Sequence, residues 1–416
     1  MSISFLMPLL VTFAGGYLLF KLRFFFILHP VRTIKSFFYE LGERDSRRSL
    51  CLALAGTLGV GNIFGVAAGI MLGGAGSIFW MLVSSLFAMI IKYAETLLVF
   101  DTPNMRGGMS SALTCIFPIA ARVLSPIYAG LTVLLSLFMG GAMQSAAVID
   151  VAEKTLSAHP AICSLIFFVL FIPCLFGSTR RIENITEFLI PLTTVIYIFL
   201  SFLVIFLNFE KLPDTVENIF RSAFTPRAAA GGVLSSLPML AIKEGFARGI
   251  LSNEAGVGSS ALAHSRAAAR TPHIAGLFGM SEVVFDTSLL CSLTGLAILT
   301  SLPDPTAYAS PMSLVTAAYS EALGDFAGYL LLLLVLAFAY STVICWYFYG
   351  TECITFAFPK LSRPYPILFS LSLLLSFVAS AELLLAVTDT VLFFMALITL
   401  SAIVKKSDRI RELADI

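Results

Sequence analysis

The chain has 416 residues, 58% of them hydrophobic and 12% charged, with 37 Phe and a mean hydropathy of +0.94. Soluble domains run near 45–50% apolar and about 25% charged, so the composition indicates a polytopic membrane protein. A net charge of +1 with no clustered basic patch argues against a nucleic-acid partner. The seven cysteines lie scattered, mostly inside apolar runs, and read as small packing residues rather than a disulfide framework.

Taken in chain order, the apolar run Ile3 to Phe20 lacks a small-residue cleavage site and reads as a retained first span. Run lengths predict about eleven transmembrane helices, at 3–20, 49–71, 75–99, 123–149, 160–177, 186–207, 231–268 (broken), 275–302, 326–354, 364–382 and 384–404. The longest loops, near 21–48, 100–122 and 208–230, leave no room for a soluble domain. With 21–48 placed in the cytoplasm, the inside segments collect nineteen Lys and Arg and the outside ones four. The positive-inside rule then puts the N-terminus outside and the C-terminus in the cytoplasm of a cell inner (plasma) membrane. The expected organisation is a span and basic loop at 1–48, a core at 49–404 and a tail at 405–416.

Glycine interrupts two of the spans, at Gly59-Val60-Gly61-Asn62 and at Gly256-Val257-Gly258-Ser259. A helix broken at membrane depth survives only where it is buried in protein or lines a cavity, and a ligand can complete its hydrogen bonds. Close helix packing by small residues is the plainer alternative. Beyond the first span, ten spans form two sets of five, 49–207 and 231–404, and each set opens on a broken segment. An odd number per set inverts one against the other, as in the 5+5 repeat of the leucine-transporter-type fold.

The second break reads Gly245-Phe246-Ala247-Arg248-Gly249-Ile250-Leu251-Ser252-Asn253-Glu254-Ala255-Gly256-Val257-Gly258-Ser259. It resembles the Arg-Gly…Ser-Asn-Glu-Ala-Gly-x-Gly-Ser signature of the sodium:alanine (alanine or glycine:cation) symporter family. Gly59 to Gly65, Gly73-Gly74, Lys92-Tyr93-Ala94-Glu95, Gly231-Gly232, Phe338 to Thr342 and Trp346 to Gly350 are similar to further segments of that family. The resemblance runs from about Leu50 to about Gly350. It departs at Val60, where the family commonly has Thr, at Gly107-Gly108-Met109-Ser110-Ser111, where a Gly-Gly-Pro-Met-Tyr-Tyr is usual, and in the last span, which lacks Pro-Asn-Leu. It implies sodium-coupled symport of a small neutral amino acid, alanine or glycine, by alternating access.

A small amino acid is a zwitterion and needs separate partners for its two charges. The half-helix after Gly61 offers free N–H groups and a positive dipole end to a carboxylate, so Gly59, Gly61 and Asn62 are substrate-site candidates. Carbonyls around Gly256 and Gly258 and the amide oxygen of Asn253 suit the ammonium. The resemblance places Gln144 at the substrate, although a mid-helix Gln is also ordinary interhelical glue worth about 1 kcal/mol. Phe246 and Trp346 are candidate walls of a small pocket, with core or lipid packing as the alternative.

Sodium, a hard cation, wants oxygens. The carbonyl end at Ala55 and Gly56 and the hydroxyls of Ser341 and Thr342 can supply them, unless those hydroxyls bond back along their own helix. No other cofactor and no obligate protein partner is expected; the partners are substrate, Na⁺ and the bilayer.

Charge at membrane depth costs at least about 2.5 kcal/mol and usually faces a cavity. Glu244 and Arg248, four apart, can pair as a gate or as a structural ion pair. Lys92 and Glu95 are expected to snorkel at the inner end of their span. Asp286 and Glu282 read as the remaining intramembrane acids, and a proton relay through them is the second reading for the coupling ion. An intramembrane enzyme is disfavoured: Ser259 and His264 are wrongly spaced on a helix to meet, and there is no His-Glu-x-x-His. A channel is disfavoured by the inverted layout and by the lack of a repeated filter loop.

Overall fold

Within a bilayer a strand edge or open loop leaves backbone N–H and C=O groups unpaired, so apolar runs fold as helices. The computed structural model describes residues 6–102, 107–175, 179–224, 237–264, 271–376 and 378–414; they are helices and short connections, with no strand among them. Gly231-Gly232 and the start and end of the expected span 231–268 lie outside the described residues.

The helices are α1 (Leu6–Lys21), α2 (Pro30–Leu41), α3 (Arg44–Thr57), α4 (Gly61–Gly73), α5 (Gly76–Phe100), α6 (Ala121–Leu156), α7 (Pro160–Leu175) and α8 (Thr179–Leu207). They continue with α9 (Leu212–Phe224), α10 (Leu237–Asn253), α11 (Ala261–His264), α12 (Pro272–Ser301) and α13 (Pro311–Leu323). The last four are α14 (Phe326–Ala357), α15 (Tyr365–Leu375), α16 (Ala381–Lys405) and α17 (Ser407–Leu413). Six of these, α5, α6, α8, α12, α14 and α16, are long and apolar enough to cross a membrane, or seven if α3 and α4, bent by 45° at their break, count as one. α1, α7 and α15 are apolar but shorter.

The expected loops contain helices. Pro30–Leu41, Met109–Ile116 and Leu212–Phe224 are helical, as is Pro311–Leu323. These segments are too short or too charged to register as spans. α13 starts where Ser310 and Ser313 cap each other reciprocally, with Pro311 at the first helical position. The expected span 364–382 is helical only over Tyr365–Leu375; a new helix begins at Ala381, where Ser380 accepts the Leu383 N–H.

α5 is the central post, packed most closely by α10 and α12. Small residues permit this: a Cβ at Gly245 would stand 2.6 Å from Ser77 O and from Trp80 Cβ, and one at Gly249 would meet Ser84 Oγ. This four-residue spacing of glycines is how membrane helices approach without a solvent-driven hydrophobic force.

Candidate functional site

The first break begins as a fault in the hydrogen-bond ladder of α3. Gly59 N–H, which a continuous helix would aim at Ala55 O, donates to Thr57 O at 2.8 Å. Val60 N–H, which would reach Gly56 O, donates to Gln144 Oε1 at 3.1 Å. The two released carbonyls turn to α14: Ala55 O accepts from Thr342 Oγ1 at 2.8 Å and Gly56 O from Trp346 Nε1 at 3.3 Å. Gln144 completes its amide by donating to Met139 O at 3.1 Å. Gly59 is required for this approach, because a Cβ there would stand 2.5 Å from Thr342 Oγ1 and 3.0 Å from Gln144 Oε1. Ala55, Gly56, Gly59, Gln144, Thr342 and Trp346 thus form one cluster. Ser341 does not reach it; its hydroxyl bonds back to Ala337 O and Phe338 O at 3.1 and 2.9 Å.

The second break differs in kind. After α10 ends at Asn253, the chain adopts positive φ at Glu254 (55°), Gly256 (80°) and Gly258 (80°), a region that glycine enters at little cost. Glu95 Oε2 takes up the freed N–H groups of Gly256 and Gly258 at 2.9 and 3.2 Å, and Val257 O accepts from the Tyr128 and Thr399 hydroxyls. Lys92 and Glu95 were expected to snorkel; both are instead wholly buried, since α5 is enclosed by α10, α11 and α12 at that depth.

Asp286 bridges the breaks. Its carboxylate accepts from Asn62 Nδ2, from Ser252 Oγ at 2.7 Å and from Thr287 Oγ1 at 2.7 Å. Thr287 in turn accepts from Asn253 Nδ2 at 3.0 Å, while the Asn253 amide oxygen is occupied by the Ala255 N–H at 2.9 Å. Asn62 Oδ1 is buried without a hydrogen-bond partner. Wide π-helical turns occur at Gly61–Gly65, Ser136–Ala142 and Val284–Cys291, which carry Asn62, precede Gln144 and carry Asp286. Such turns recur at functional sites because they redirect side chains out of the regular ladder.

Along α10, Arg248 lies five residues before Asn253. Its Nη2 pairs with Asp389 Oδ2 at 2.6 Å and its Nε with Glu244 Oε2 at 3.3 Å, while Lys243 also reaches Glu244 at 2.8 Å. Asp389 corrects the inventory of intramembrane acids, for it sits well inside the apolar helix α16. A lone acid in an apolar run was the available signal. Phe246 is buried beside Trp80, ring centroids 6.4 Å apart, and about 10 Å along the axis from Asn253. Asn62, Gln144 and Asn253 are at most 1% exposed, so this conformation is closed around them.

This architecture, two interrupted helices packed against each other inside a helical bundle, is that of the secondary-transporter class. A structure of MhsT in complex with L-phenylalanine superposes with a TM-score of 0.64 at 13% identity, covering 86% of this chain and 88% of that one. A Na⁺-coupled sialic acid symporter superposes at 0.53 with 11% identity, covering 97% and 82%. At such identities the likeness establishes the fold alone. The sodium:alanine symporter family model matches residues 1–414, and the chain belongs to that family. It is similar to the sodium/alanine symporter AgcS of Methanococcus maripaludis, 31% identical and covering 86% of this chain and 80% of the relative. It is also similar to an uncharacterised transporter of Haemophilus influenzae (32%; 84% and 79%) and to a probable sodium/glutamine symporter, GlnT, of Bacillus subtilis (31%; 96% and 84%). The protein is a multi-pass membrane transporter of the amino acid–cation symport type and not an enzyme.

Proposed function

We propose that the protein carries a small neutral amino acid, alanine or glycine, with Na⁺ by alternating access. The reading includes eleven spans, the last ten a 5+5 inverted repeat, with the N-terminus outside and the C-terminus in the cytoplasm of the plasma membrane. The observation that carries it is the pair of carbonyls at Ala55 and Gly56, released from their own helix and met by the Thr342 hydroxyl and the Trp346 indole. Two oxygens, Ala55 O and Thr342 Oγ1, lie 2.8 Å apart at the negative end of a half-helix, a beginning for a cation shell. Ser341 would join it by a rotamer change.

On this reading the substrate carboxylate sits at the first-turn N–H groups of Gly61 and Asn62, which have no intrahelical acceptor. The Asn253 amide oxygen, the carbonyls around Gly256 and Gly258, and Gln144 serve the ammonium; Asn253 gives up its bond to Ala255 N–H to do so. Trp346 and Phe246 limit the side chain, and Arg248 with Glu244 and Asp389 closes one entrance. One charge moving across about 100 mV supplies roughly 2.3 kcal/mol, some 50-fold accumulation, before any Na⁺ gradient is added.

Calorimetric titration of the purified transporter with alanine and glycine, with and without Na⁺, tests the reading. Each ligand should tighten the other by the same factor. Binding of neither amino acid, or binding indifferent to Na⁺, contradicts it. The second reading, proton coupling, is favoured by Asp286, whose carboxylate joins Asn62 of one break to Ser252 of the other; it predicts binding linked to pH at fixed Na⁺ and lost in Asp286→Asn.

A further inference from the structure

Around the unwound segment 254–260 five ionisable side chains meet with no more than 1% exposure: Lys92 and Glu95 from α5, Glu254, His264 from α11 and Glu282 from α12. Among the described residues the carboxyls outnumber the cations even with the imidazole charged. An uncompensated buried ion costs several kcal/mol, so a closed cluster of this composition must hold a proton.

The hydrogen bonds say where. Glu282 faces two nitrogen partners, His264 Nε2 in hydrogen-bond contact and Lys92 Nζ at 3.5 Å. Glu95 has Lys92 Nζ at 3.6 Å and receives two backbone N–H groups. Glu254 has one partner, the Ser259 hydroxyl on Oε2, and its Oε1 is buried with no hydrogen bond, as are Glu95 Oε1 and Glu282 Oε2. The latter two oxygens face Lys92 Nζ, whereas among the described residues Glu254 has no cation within 4 Å. Its other neighbours are Lys92 of α5, farther off than the 4 Å of an ion pair, the Glu282 and Asp286 carboxyls of α12 and, on α14, Cys345 and Tyr349. Glu254 also carries the non-glycine positive φ of the break, between Asn253 and Gly256.

We propose that Glu254 is a proton-binding site: its carboxyl is neutral in this closed conformation and yields its proton to water once the unwound segment is hydrated. A carboxylate left there would face Asp286 and Glu282 in a dry interior, with the nearby ammonium, Lys92, already paired to Glu95 and Glu282, so reclosure requires the proton back. The cycle of an otherwise sodium-driven carrier therefore contains a protonation step, with the proton taken from and returned to water by breaking and remaking one carboxyl O–H bond.

Infrared spectroscopy of the purified protein near neutral pH tests this without any transport substrate, so failure of the substrate reading leaves the test intact. The wild type should show a protonated-carboxyl stretch that disappears in Glu254→Gln and persists in Glu95→Gln and Glu282→Gln. A spectrum that keeps every such band in Glu254→Gln overturns the proposal. If that variant does not fold, Ser259→Ala, which removes the only hydrogen-bond partner, should shift the band; an unmoved band is equally fatal. Amino-acid exchange at saturating Na⁺ should slow as pH rises in the wild type and lose that dependence in Glu254→Gln, whereas parallel profiles contradict the assignment.

Discussion

Thr342→Val keeps the shape of the side chain and deletes one oxygen. In the structure that oxygen does two things: it satisfies Ala55 O, which has lost its own helical partner, and it stands where a cation would bind. Leaving a buried carbonyl unpaired costs about 1–3 kcal/mol. Sodium itself would satisfy Ala55 O in the loaded state, so part of that cost falls on the empty state. The shell nevertheless loses one ligand, and the net expectation is a loss near 1.4 kcal/mol, a roughly tenfold rise in half-saturating Na⁺. Maximal uptake at saturating Na⁺ should stay within about twofold, since the substrate contacts are untouched. Substrate affinity should fall at low Na⁺ and recover as Na⁺ is raised, because coupling is reciprocal. Ser341→Ala should move the Na⁺ curve less, as its hydroxyl is engaged with its own helix. The assay is initial-rate uptake into proteoliposomes across a Na⁺ series. An unchanged Na⁺ midpoint in Thr342→Val removes the ion from this helix, and a larger effect in Ser341→Ala reverses the assignment of the two hydroxyls.

Other expectations follow from the same geometry. Gln144→Ala strips partners from Val60 N–H and Met139 O and should abolish measurable amino-acid binding by calorimetry in a protein that still folds; normal affinity would make Gln144 interhelical glue. Asp389→Asn should cost more stability and transport than Glu244→Gln, because Arg248 is 3% exposed and its shorter contact is to Asp389. The loss should lie toward the lower end of about 3–5 kcal/mol, Asp389 being 21% exposed; thermal unfolding of both variants in detergent checks the order. Gly258→Ala should destabilise by at least about 1–2 kcal/mol and by more than Gly256→Ala, since its Cβ would stand 2.7 Å from Tyr128 OH against 3.3 Å from Leu400 Cδ2. Gly61→Ala meets nothing nearer than 3.7 Å and should leave stability unchanged or raised by up to about 1 kcal/mol, yet lose substrate affinity if the carboxylate seats on the N–H groups there.

The two breaks are legible in the sequence because an interrupted membrane helix needs glycine and the Gly-Val-Gly stretches announce it. Their difference is not legible. One is a fault in the hydrogen-bond ladder filled by Gln144, Thr342 and Trp346; the other is a left-handed turn held by Glu95. The same three letters serve both. Ser341 and Thr342 are adjacent hydroxyls, and a helix rotates about 100° per residue, so only the packing of α14 on α3 decides which one meets Ala55. Lys92 and Glu95 invite a snorkelling reading whenever the bilayer edge is drawn nearby, and only three-dimensional enclosure by neighbouring helices shows them to be dry. Asp389 was within reach of the rule that an acid inside an apolar run has a partner. The amphipathic helices α2 and α9 escape any criterion based on apolar length, because they need only one buried face, and α13 is simply too short to meet it.

Uptake of labelled alanine and glycine into proteoliposomes, with membrane current recorded alongside, tests the sodium-symport reading most directly. An imposed inward Na⁺ gradient should drive accumulation of one or both amino acids with inward current, and replacing Na⁺ by choline at fixed pH should abolish both. Undiminished uptake in choline, or Na⁺-independent accumulation that follows an imposed pH gradient, would contradict it.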